Sequence, residues 1–293
     1  MTAAGVSSSG GRPFLKWAGG KRQLLEKMRR FFPPGRTGYT YYEPFIGGGA
    51  AFFDLQPDRA VINDCIGDLA AVYRVIQRSI DELLELLEKH RTQNSRDYYY
   101  YIRNQDRDKD LYANMGEVER AARLLYLNRT CYNGLYRVNR RGEFNVPCGR
   151  YGTAPVYDEA NLRAVHRYLA SNRICILNGD FAGAVKTTVE KDFVYFDPPY
   201  HSRDRSGFTG YQAPGFDEGE QRRLRDTFAE LTRRGVFCLL SNSDTPLIRE
   251  LYRDFEITGL DARRAINSDA AGRGAVREVL VRNFAGRDVL PGA

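Results

Sequence analysis

Tyr41-Tyr42-Glu43-Pro44-Phe45-Ile46-Gly47-Gly48-Gly49-Ala50-Ala51-Phe52-Phe53 reads as a short strand, a glycine turn and the start of a helix, the order of a nucleotide-binding crossover. Glycines in such a turn let a ligand approach the backbone closely; an ordinary tight turn is the plainer account. Working outward, Ala60-Val61-Ile62-Asn63 predicts a second strand ending at Asp64, 17 residues after Gly47, a spacing suited to an acidic residue that grips ribose hydroxyls. Residues 174–177 run as a strand into Gly179-Asp180-Phe181, and Phe193-Val194-Tyr195-Phe196 into Asp197-Pro198-Pro199-Tyr200. Val236-Phe237-Cys238-Leu239-Leu240 is another buried strand, ending at Ser241-Asn242, and residues 255–258 and 278–283 suit a closing hairpin. Helical spacing covers 21–32, stopped by Pro33-Pro34-Gly35, then 67–87 and 217–233. The pattern is that of an α/β fold, Rossmann-like, with no internal repeat. Residues 91–172 interrupt the alternation: helical through 117–127, then a hairpin signal, Tyr136-Arg137-Val138 and Glu143-Phe144-Asn145-Val146 around Asn139-Arg140-Arg141-Gly142. The expected organisation is a disordered leader (1–11), a catalytic domain split into 12–90 and 173–284, an inserted domain (91–172) and a tail (285–293).

At 293 residues and 42% hydrophobic, the chain can bury a full core, and no apolar run approaches the length of a membrane span. A soluble protein is expected. The Ser, Gly and Ala of 1–11 lack the basic and apolar regions of a signal peptide. Five scattered cysteines, never in a C-x-x-C pair, point to reduced thiols in a cytoplasm and no structural zinc. The formal charge of +7 favours a polyanionic partner. Residues 91–177 hold 15 Lys and Arg against 9 Asp and Glu, so nearly all of that excess lies in the interruption. Residues 128–151 alone hold five arginines and one acid, interleaved with Tyr132, Tyr136, Phe144 and Tyr151, a mixture suited to phosphate contact plus stacking in a duplex. A solvated charged hairpin is the alternative.

Asp197-Pro198-Pro199-Tyr200 delivers a carboxylate, a rigid turn and an aromatic ring at a strand end. Proline contributes no N–H, so the carbonyls of Asp197 and Pro198 are available to hold an amino group, and Tyr200 can stack on the flat ring that carries it. A strand-ending turn with a structural aspartate is the plainer account. Glu43, Asp64 and Asp180-Phe181 would share the carboxyl ends of parallel strands, where α/β sheets bind ligands. These carboxylates argue against phosphate, and Ala18-Gly19-Gly20-Lys21-Arg22 lacks the first glycine and the Ser/Thr of a P-loop. The ligand indicated is a nucleoside without phosphate and with a cationic portion, which S-adenosylmethionine satisfies.

Over nearly its whole length the chain resembles the DNA adenine-N6 methyltransferases of the Dam family (D12 class). The resemblance rests on Phe14-Leu15-Lys16-Trp17-Ala18-Gly19-Gly20-Lys21, on Glu43-Pro44-Phe45 with the glycines, on residues 128–151 and on Asp197-Pro198-Pro199-Tyr200. It implies a mixed seven-stranded class I methyltransferase sheet with an inserted helical and hairpin target-recognition domain. By the same resemblance Trp17 and Lys21 contact the cofactor, Phe45, Ile46 and Gly47 line its methionine end, Asp64 holds the ribose and Phe181 packs on its adenine. Glu43, Pro44, Asp180 and Asp197 are further implied cofactor-binding positions. Asp197, Pro198, Pro199 and Tyr200 are the implied catalytic residues. Tyr132 wedges into the duplex beside Asn133; Lys16, Leu135, Arg137, Pro147 and Tyr151 read GATC; Arg103, Arg129, Asn139 and Arg150 resemble phosphate-contacting positions. Departures are confined to the leader, the tail beyond Phe284 and Gly48, which is often another small residue.

The expectation is methyl transfer from S-adenosylmethionine to N6 of an adenine flipped from double-stranded DNA, most simply in GATC, by a cytoplasmic monomer with no obligatory protein partner, no metal and no membrane. Residues 202–216, rich in Gly, Ser and charge, suit a mobile lid. A methyltransferase acting on RNA adenine or protein glutamine is a rival, although such enzymes more often present Asn at the first position of the turn. A non-catalytic DNA-binding protein on a decayed scaffold is another, and the intact Asp197 and Tyr200 count against it. His90, His166 and His201, isolated from any ligand spacing, read as surface or loop residues.

Overall fold

The computed structural model describes residues 11–17, 22–32, 37–150, 155–201, 216–262 and 276–284. Lys21, Tyr151, Pro33-Pro34-Gly35, positions 202–215 of the expected lid, residues 1–10 of the leader and the tail lie outside the described residues. The chain forms two compact units, one from Met1–Gly20, Gly47–Gln56 and Ile66–Asn178, the other from Lys21–Ile46, Pro57–Cys65 and Gly179–Ala293.

Seven strands are described: β1 (Tyr41–Glu43), β2 (Arg59–Asp64), β3 (Arg173–Asn178), β4 (Phe193–Phe196), β5 (Phe237–Ser243), β6 (Glu256–Ala262) and β7 (Val276–Arg282). Their order is β3-β2-β1-β4-β5-β7-β6. In the second unit β1 runs parallel to β2 and β4 (Tyr41 opposite Ala60 and Phe193), and β4 parallel to β5 (Phe193 opposite Phe237). β7 lies antiparallel between β5 and β6, which makes the sheet mixed. Phe193, Val194, Tyr195 and Phe196 are all buried, the continuous apolar run of a strand covered on both faces. Asp197-Pro198-Pro199 ends the strand because proline offers no N–H to continue the ladder. Pro44 follows β1 in the same way; the strand stops at Glu43, three residues short of the six expected. Helices α1 (Arg22–Met28), α9 (Phe181–Ala184), α10 (Glu218–Arg233) and α11 (Pro246–Leu251) belong to this unit. Asp217 caps α10 by accepting from Glu220 N at 3.1 Å, and Leu224, Phe228 and Leu231 form one apolar stripe in a core shared with Phe196, Leu240 and Val281.

The first unit is mainly helical: α2 (Ala50–Leu55), α3 (Gly67–Arg78), α4 (Ile80–Gln93), α5 (Arg96–Asn104), α6 (Lys109–Asn114), α7 (Glu117–Thr130) and α8 (Glu159–Ser171), followed by β3. The single helix expected over 67–87 is two, broken at Ser79 (φ −135°, ψ 48°), with Asp81 and Glu82 in the first turn of α4 favouring a new N-terminus there. The expected hairpin is present but barely a ladder: its bridges are Cys131 with Cys148 and Val138 with Phe144. The histidine reading needs correction for His90 and His166, which are half-buried within helices: His90 is stacked on Tyr126 and bonded to Tyr98 Oη at 2.8 Å, and burial pushes it down to about 4, while His166 bonds Ile76 O. His201 is a loop residue as expected, bonded to Thr245 Oγ1 at 3.0 Å.

Candidate active site and nucleic-acid interface

The turn after β4 is tied down at Asp197, Pro199, Tyr200 and His201. The half-buried Asp197 accepts at Oδ1 from Ser241 Oγ of β5 at 2.7 Å. The carbonyl of Pro199 accepts from Gln221 Nε2 of α10 at 3.0 Å; Gln221 Oε1 in turn accepts from Asn242 Nδ2 at 3.1 Å, and Asn242 Oδ1 accepts from His201 N at 3.1 Å. Tyr200 donates to Glu278 Oε2 of β7 at 2.8 Å. Burial, then Asp197 and Glu278, raise the Tyr200 phenol well above its ordinary value, so the ring stays neutral and its proton is held for Glu278. Ser241, Gln221 and Asn242 are buried polar residues, each with a hydrogen bond to this turn or the residue after it. The sequence reading stopped at Ser241-Asn242 as a strand end; polar residues closing an apolar run were the available signal.

The ends of β1 and β2 carry the other carboxylates. Glu43, 2% exposed, accepts from Tyr41 Oη at 2.7 Å; burial, with Glu43 adding to it, keeps the Tyr41 phenol protonated and able to donate. Asn63, also missed by the sequence reading, ties this edge together: its side-chain Nδ2 donates to Pro44 O at 2.9 Å and Gly179 O at 3.0 Å, and its backbone carbonyl accepts from Ile46 N. Asp64 is buried, with its carbonyl bonded to Gly179 N. Asp180 caps α9 through Ala182 N and receives the two Nη atoms of Arg223 at 2.9 and 2.5 Å, which holds its carboxyl below the usual carboxylate range. The same guanidinium lies 4.2 Å over the Phe181 ring; Phe45 stacks on Phe181 with centroids 5.3 Å apart, and Phe216 meets both. The strand ends thus present carboxylates and an aromatic cluster.

In the first unit the glycine turn is shaped by a side chain of the protein itself. Gly47 has φ +48°, and a Cβ there would sit 2.8 Å from Trp17 Cδ1, so the close approach the glycine permits is that of the Trp17 indole. Trp17 also stacks on Tyr136 with centroids 5.2 Å apart. Beside it, Asn128 accepts from Lys16 N and donates to Lys16 O and Gly134 O, pinning the exposed Lys16 to the base of the hairpin. Gly134, at φ +63°, leaves room for the Lys16 stem, which any Cβ would meet at 2.3 Å.

Tyr132 is 50% exposed and Asn133 adopts φ 54°, both projecting from a 3-10 turn; Pro147 and Arg150 are exposed and Leu135 half-buried. Arg137 is already engaged: its Nε donates to Asn145 Oδ1 at 2.6 Å and its Nη2 to Asn145 O at 3.2 Å across the hairpin. Asn139 spends its amide on the tip, accepting from Arg141 N and Glu143 N and donating to Glu143 Oε2. Arg103 lies 4.6 Å over Tyr100, and Arg129 is half-buried beside Phe14 and Tyr157. Asp106, which carries no motif, clamps the hairpin: it accepts from Phe144 N at 2.7 Å, Arg107 at 2.7 Å and the buried Arg123 at 2.9 Å. Only the fold brings these four together.

A mixed seven-stranded sheet with β7 antiparallel beside β5, and an acceptor-bearing aromatic turn after β4, define a Rossmann-like methyltransferase. The chain belongs to the D12 class N6 adenine-specific DNA methyltransferase family, whose profile matches residues 17–266. It is 46% identical to the type II methyltransferase M1.LlaDCHI of Lactococcus lactis subsp. cremoris over 93% of this chain and 95% of that protein. It is 38% identical to the type II methyltransferase M.MjaIII of Methanocaldococcus jannaschii (93% and 99%), and 33% identical to the DNA adenine methylase of Escherichia coli K12 (92% and 94%). The protein is therefore an adenine-specific DNA methyltransferase, and its family implies DNA as substrate and S-adenosylmethionine as methyl donor. Among the described residues no helix is long and apolar enough to cross a membrane.

Proposed function

We propose that the protein methylates N6 of adenine within GATC in duplex DNA, acting as a cytoplasmic monomer. The observation that carries the reading is the Asp197 turn, a carboxylate and an aromatic ring held rigidly at the end of a central strand. The residues present fit S-adenosylmethionine: buried carboxylates at Glu43 and Asp64 suit hydroxyl and ammonium groups and repel phosphate, and Phe45 and Phe181 offer an aromatic surface. Trp17, Lys21, residues 43–47, Asp64, Asp180, Phe181 and Asp197 would hold it. When bound, it supplies a methyl group made electrophilic by a cationic sulfur.

The chain's own residues must raise the reactivity of an amino nitrogen whose lone pair is delocalised into the adenine ring. The Asp197 carboxylate and the Pro198 carbonyl accept hydrogen bonds from the two N6–H groups, drawing the nitrogen toward a pyramidal shape, while Tyr200 supports the flipped ring; the one proton that N6 gives up as it gains the methyl group is released to water. Flipping costs a few kcal/mol, offset by stacking on Tyr200 and by Tyr132 filling the gap in the duplex. Residues 91–172 act as the target-recognition domain and 12–90 with 173–284 as the catalytic domain. Lys16, Leu135, Arg137, Pro147 and Tyr151 read the bases; Arg103, Arg129, Asn139 and Arg150 meet phosphates. The GATC assignment rests on the match of these positions to the Dam pattern, and the type II relatives support a restriction-modification setting.

The test is expression in a host lacking adenine methylation, followed by digestion with methylation-sensitive and methylation-dependent GATC nucleases. Protection is expected with the wild type and not with Asp197→Ala. DNA free of N6-methyladenine would overturn the reading; methylated adenine with GATC unprotected would overturn the sequence assignment alone. Asp197→Ala retaining turnover within about tenfold of wild type would remove Asp197 from the chemistry, since loss of a fixed polar contact to the reacting group costs on the order of 10²–10³ in rate.

A further inference from the structure

We propose that Ser241, backed by Tyr195, is the positioning residue that fixes the Asp197 carboxylate for reaction; the inference rests on the functional reading above. Ser241 is 1% exposed on β5, and its Oγ stands 2.7 Å from Asp197 Oδ1 and 3.0 Å from Tyr195 Oη. A serine hydroxyl has one proton to give. An ionised carboxylate accepts only, so that proton goes to Asp197, in preference to the Phe196 carbonyl at 3.5 Å. The lone pairs of Ser241 are then left to accept from Tyr195, whose phenol is kept protonated by burial and by the Asp197 charge. The three side chains form a one-way chain of donors, Tyr195 to Ser241 to Asp197, with no water needed to complete it.

The chain is rigid at both ends. Tyr195 is fully buried within β4, two residues before the carboxylate, and Phe196 is in register with Leu240, so β4–β5 pairing sets the distance from Ser241 to the turn. A carboxylate joined to its backbone by freely rotating bonds would sample many orientations. Held by one oxygen to a buried hydroxyl, it presents one, as a group that must meet an amino nitrogen in the transition state requires. Gln221 and Asn242 hold the backbone that follows, so β5 and α10 fix both the carboxylate and the turn that carries it.

A hydrogen bond to a charged group is strong enough that Ser241→Ala should lower the single-turnover methylation rate by about 10- to 100-fold. The KM for duplex and the affinity for S-adenosylmethionine should stay within about twofold, because the orientation that Ser241 sets matters most where Asp197 meets the reacting nitrogen. Ser241→Thr, which restores the hydroxyl, should recover the rate to within about fivefold of wild type, since a merely space-filling role would not distinguish it from Ala. Tyr195→Phe should cost about three- to tenfold, and the double variant with Ser241→Ala should be no slower than Ser241→Ala alone, because residues acting in one chain are non-additive. If Ser241→Ala does not fold, Tyr195→Phe carries the test, and an unchanged rate there overturns the proposal. So does a Ser241→Ala enzyme within about threefold of wild type, a loss confined to KM, or a double variant slower by the product of the two single losses. Wild-type activity abolished by Asp197→Ala but kept by Ser241→Ala defeats this inference alone; a wild type that methylates no adenine defeats the functional reading beneath it.

Discussion

After β4 the turn is held at two side chains, by Ser241 and Glu278, and at two backbone groups, by Gln221 and Asn242, whereas the hairpin from Cys131 to Cys148 meets across two bridges and hangs from a few outside anchors. Its anchors are Asn128 at the base, Tyr99 on the Val146 carbonyl at 2.8 Å, and Asp106 on Phe144. Its tip, Arg140-Arg141-Gly142, is exposed. The contrast teaches what each task requires of the backbone. An acceptor that must meet one nitrogen lone pair loses rate with small displacements, so it sits where strands and a helix over-determine it. A surface that follows a duplex gains from adjusting, so its arms are short of ladder bonds and its contacts lie at the ends of long side chains.

The largest expected effect would break the contrast at the hairpin's main anchor. Asp106→Ala removes the anion beside Arg123, which is 4% exposed, and strands the Phe144 amide. Loss of one member of a buried ion pair costs about 3–5 kcal/mol, so thermal melting should fall well below wild type and duplex affinity should drop with it. Methylation at saturating duplex should be far less affected. A variant that keeps duplex affinity but loses the chemical rate would mean that the hairpin anchor and the catalytic turn are not separate devices.

A middle-sized effect sharpens the contrast between the hairpin and the end of the helix that leads into it. Arg137, already oriented by Asn145, is proposed to meet a base edge, and Arg129 a phosphate. Arg137→Ala should therefore relax discrimination against single-base variants of GATC by about 1–3 kcal/mol. Arg129→Ala should weaken all duplexes alike and reduce the slope of log affinity against log salt by about 0.9. Methylation of cognate and near-cognate duplexes, with salt titrations of binding, decides it. Equal losses on every sequence for Arg137→Ala would make the hairpin a positioning element that reads nothing, and the GATC assignment would be withdrawn.

The two regions also differed in how far the sequence exposed them. The turn was legible because its chemistry is contiguous: an apolar run, then Asp197-Pro198-Pro199-Tyr200. Strand positions were largely legible, through alternation and glycine turns, but the break at Ser79 was hidden because residues on both sides of it keep helical spacing. What supports each region was not legible. Asp106 lies 38 residues from Phe144, and Ser241 lies 44 from Asp197. Such pairs are set by tertiary packing, and an isolated Asp or Ser carries no periodic signal of its partner.

The smallest expected effect tests whether the hairpin opens independently of the turn's supporting strand, using thiols already in place. Cys131, at the hairpin base, and Cys238, on β5 three residues before Ser241, are both fully buried. Burial pushes Cys131 up to about 12 and Cys238 well above its ordinary value. The sign is that of a suppressed nucleophile: a raised pKa leaves less thiolate, and at pH 8 a pKa near 12 corresponds to about one thiolate in ten thousand. Alkylation of either residue in the closed protein is therefore negligible, and the observed rate reports how often each site opens to solvent. A hairpin with two bridges should open at lower free energy than a strand paired on both sides, so Cys131 should be alkylated at least about tenfold faster than Cys238. Mass spectrometry of tryptic peptides after timed iodoacetamide exposure at pH 8 gives both rates in one sample. Bound duplex should slow Cys131 and leave Cys238 unchanged, because the ligand stabilises the hairpin it contacts. Equal rates for the two thiols would show that hairpin and sheet open as one unit, and the difference between a fixed turn and an adjustable hairpin would then have to be sought in side chains alone.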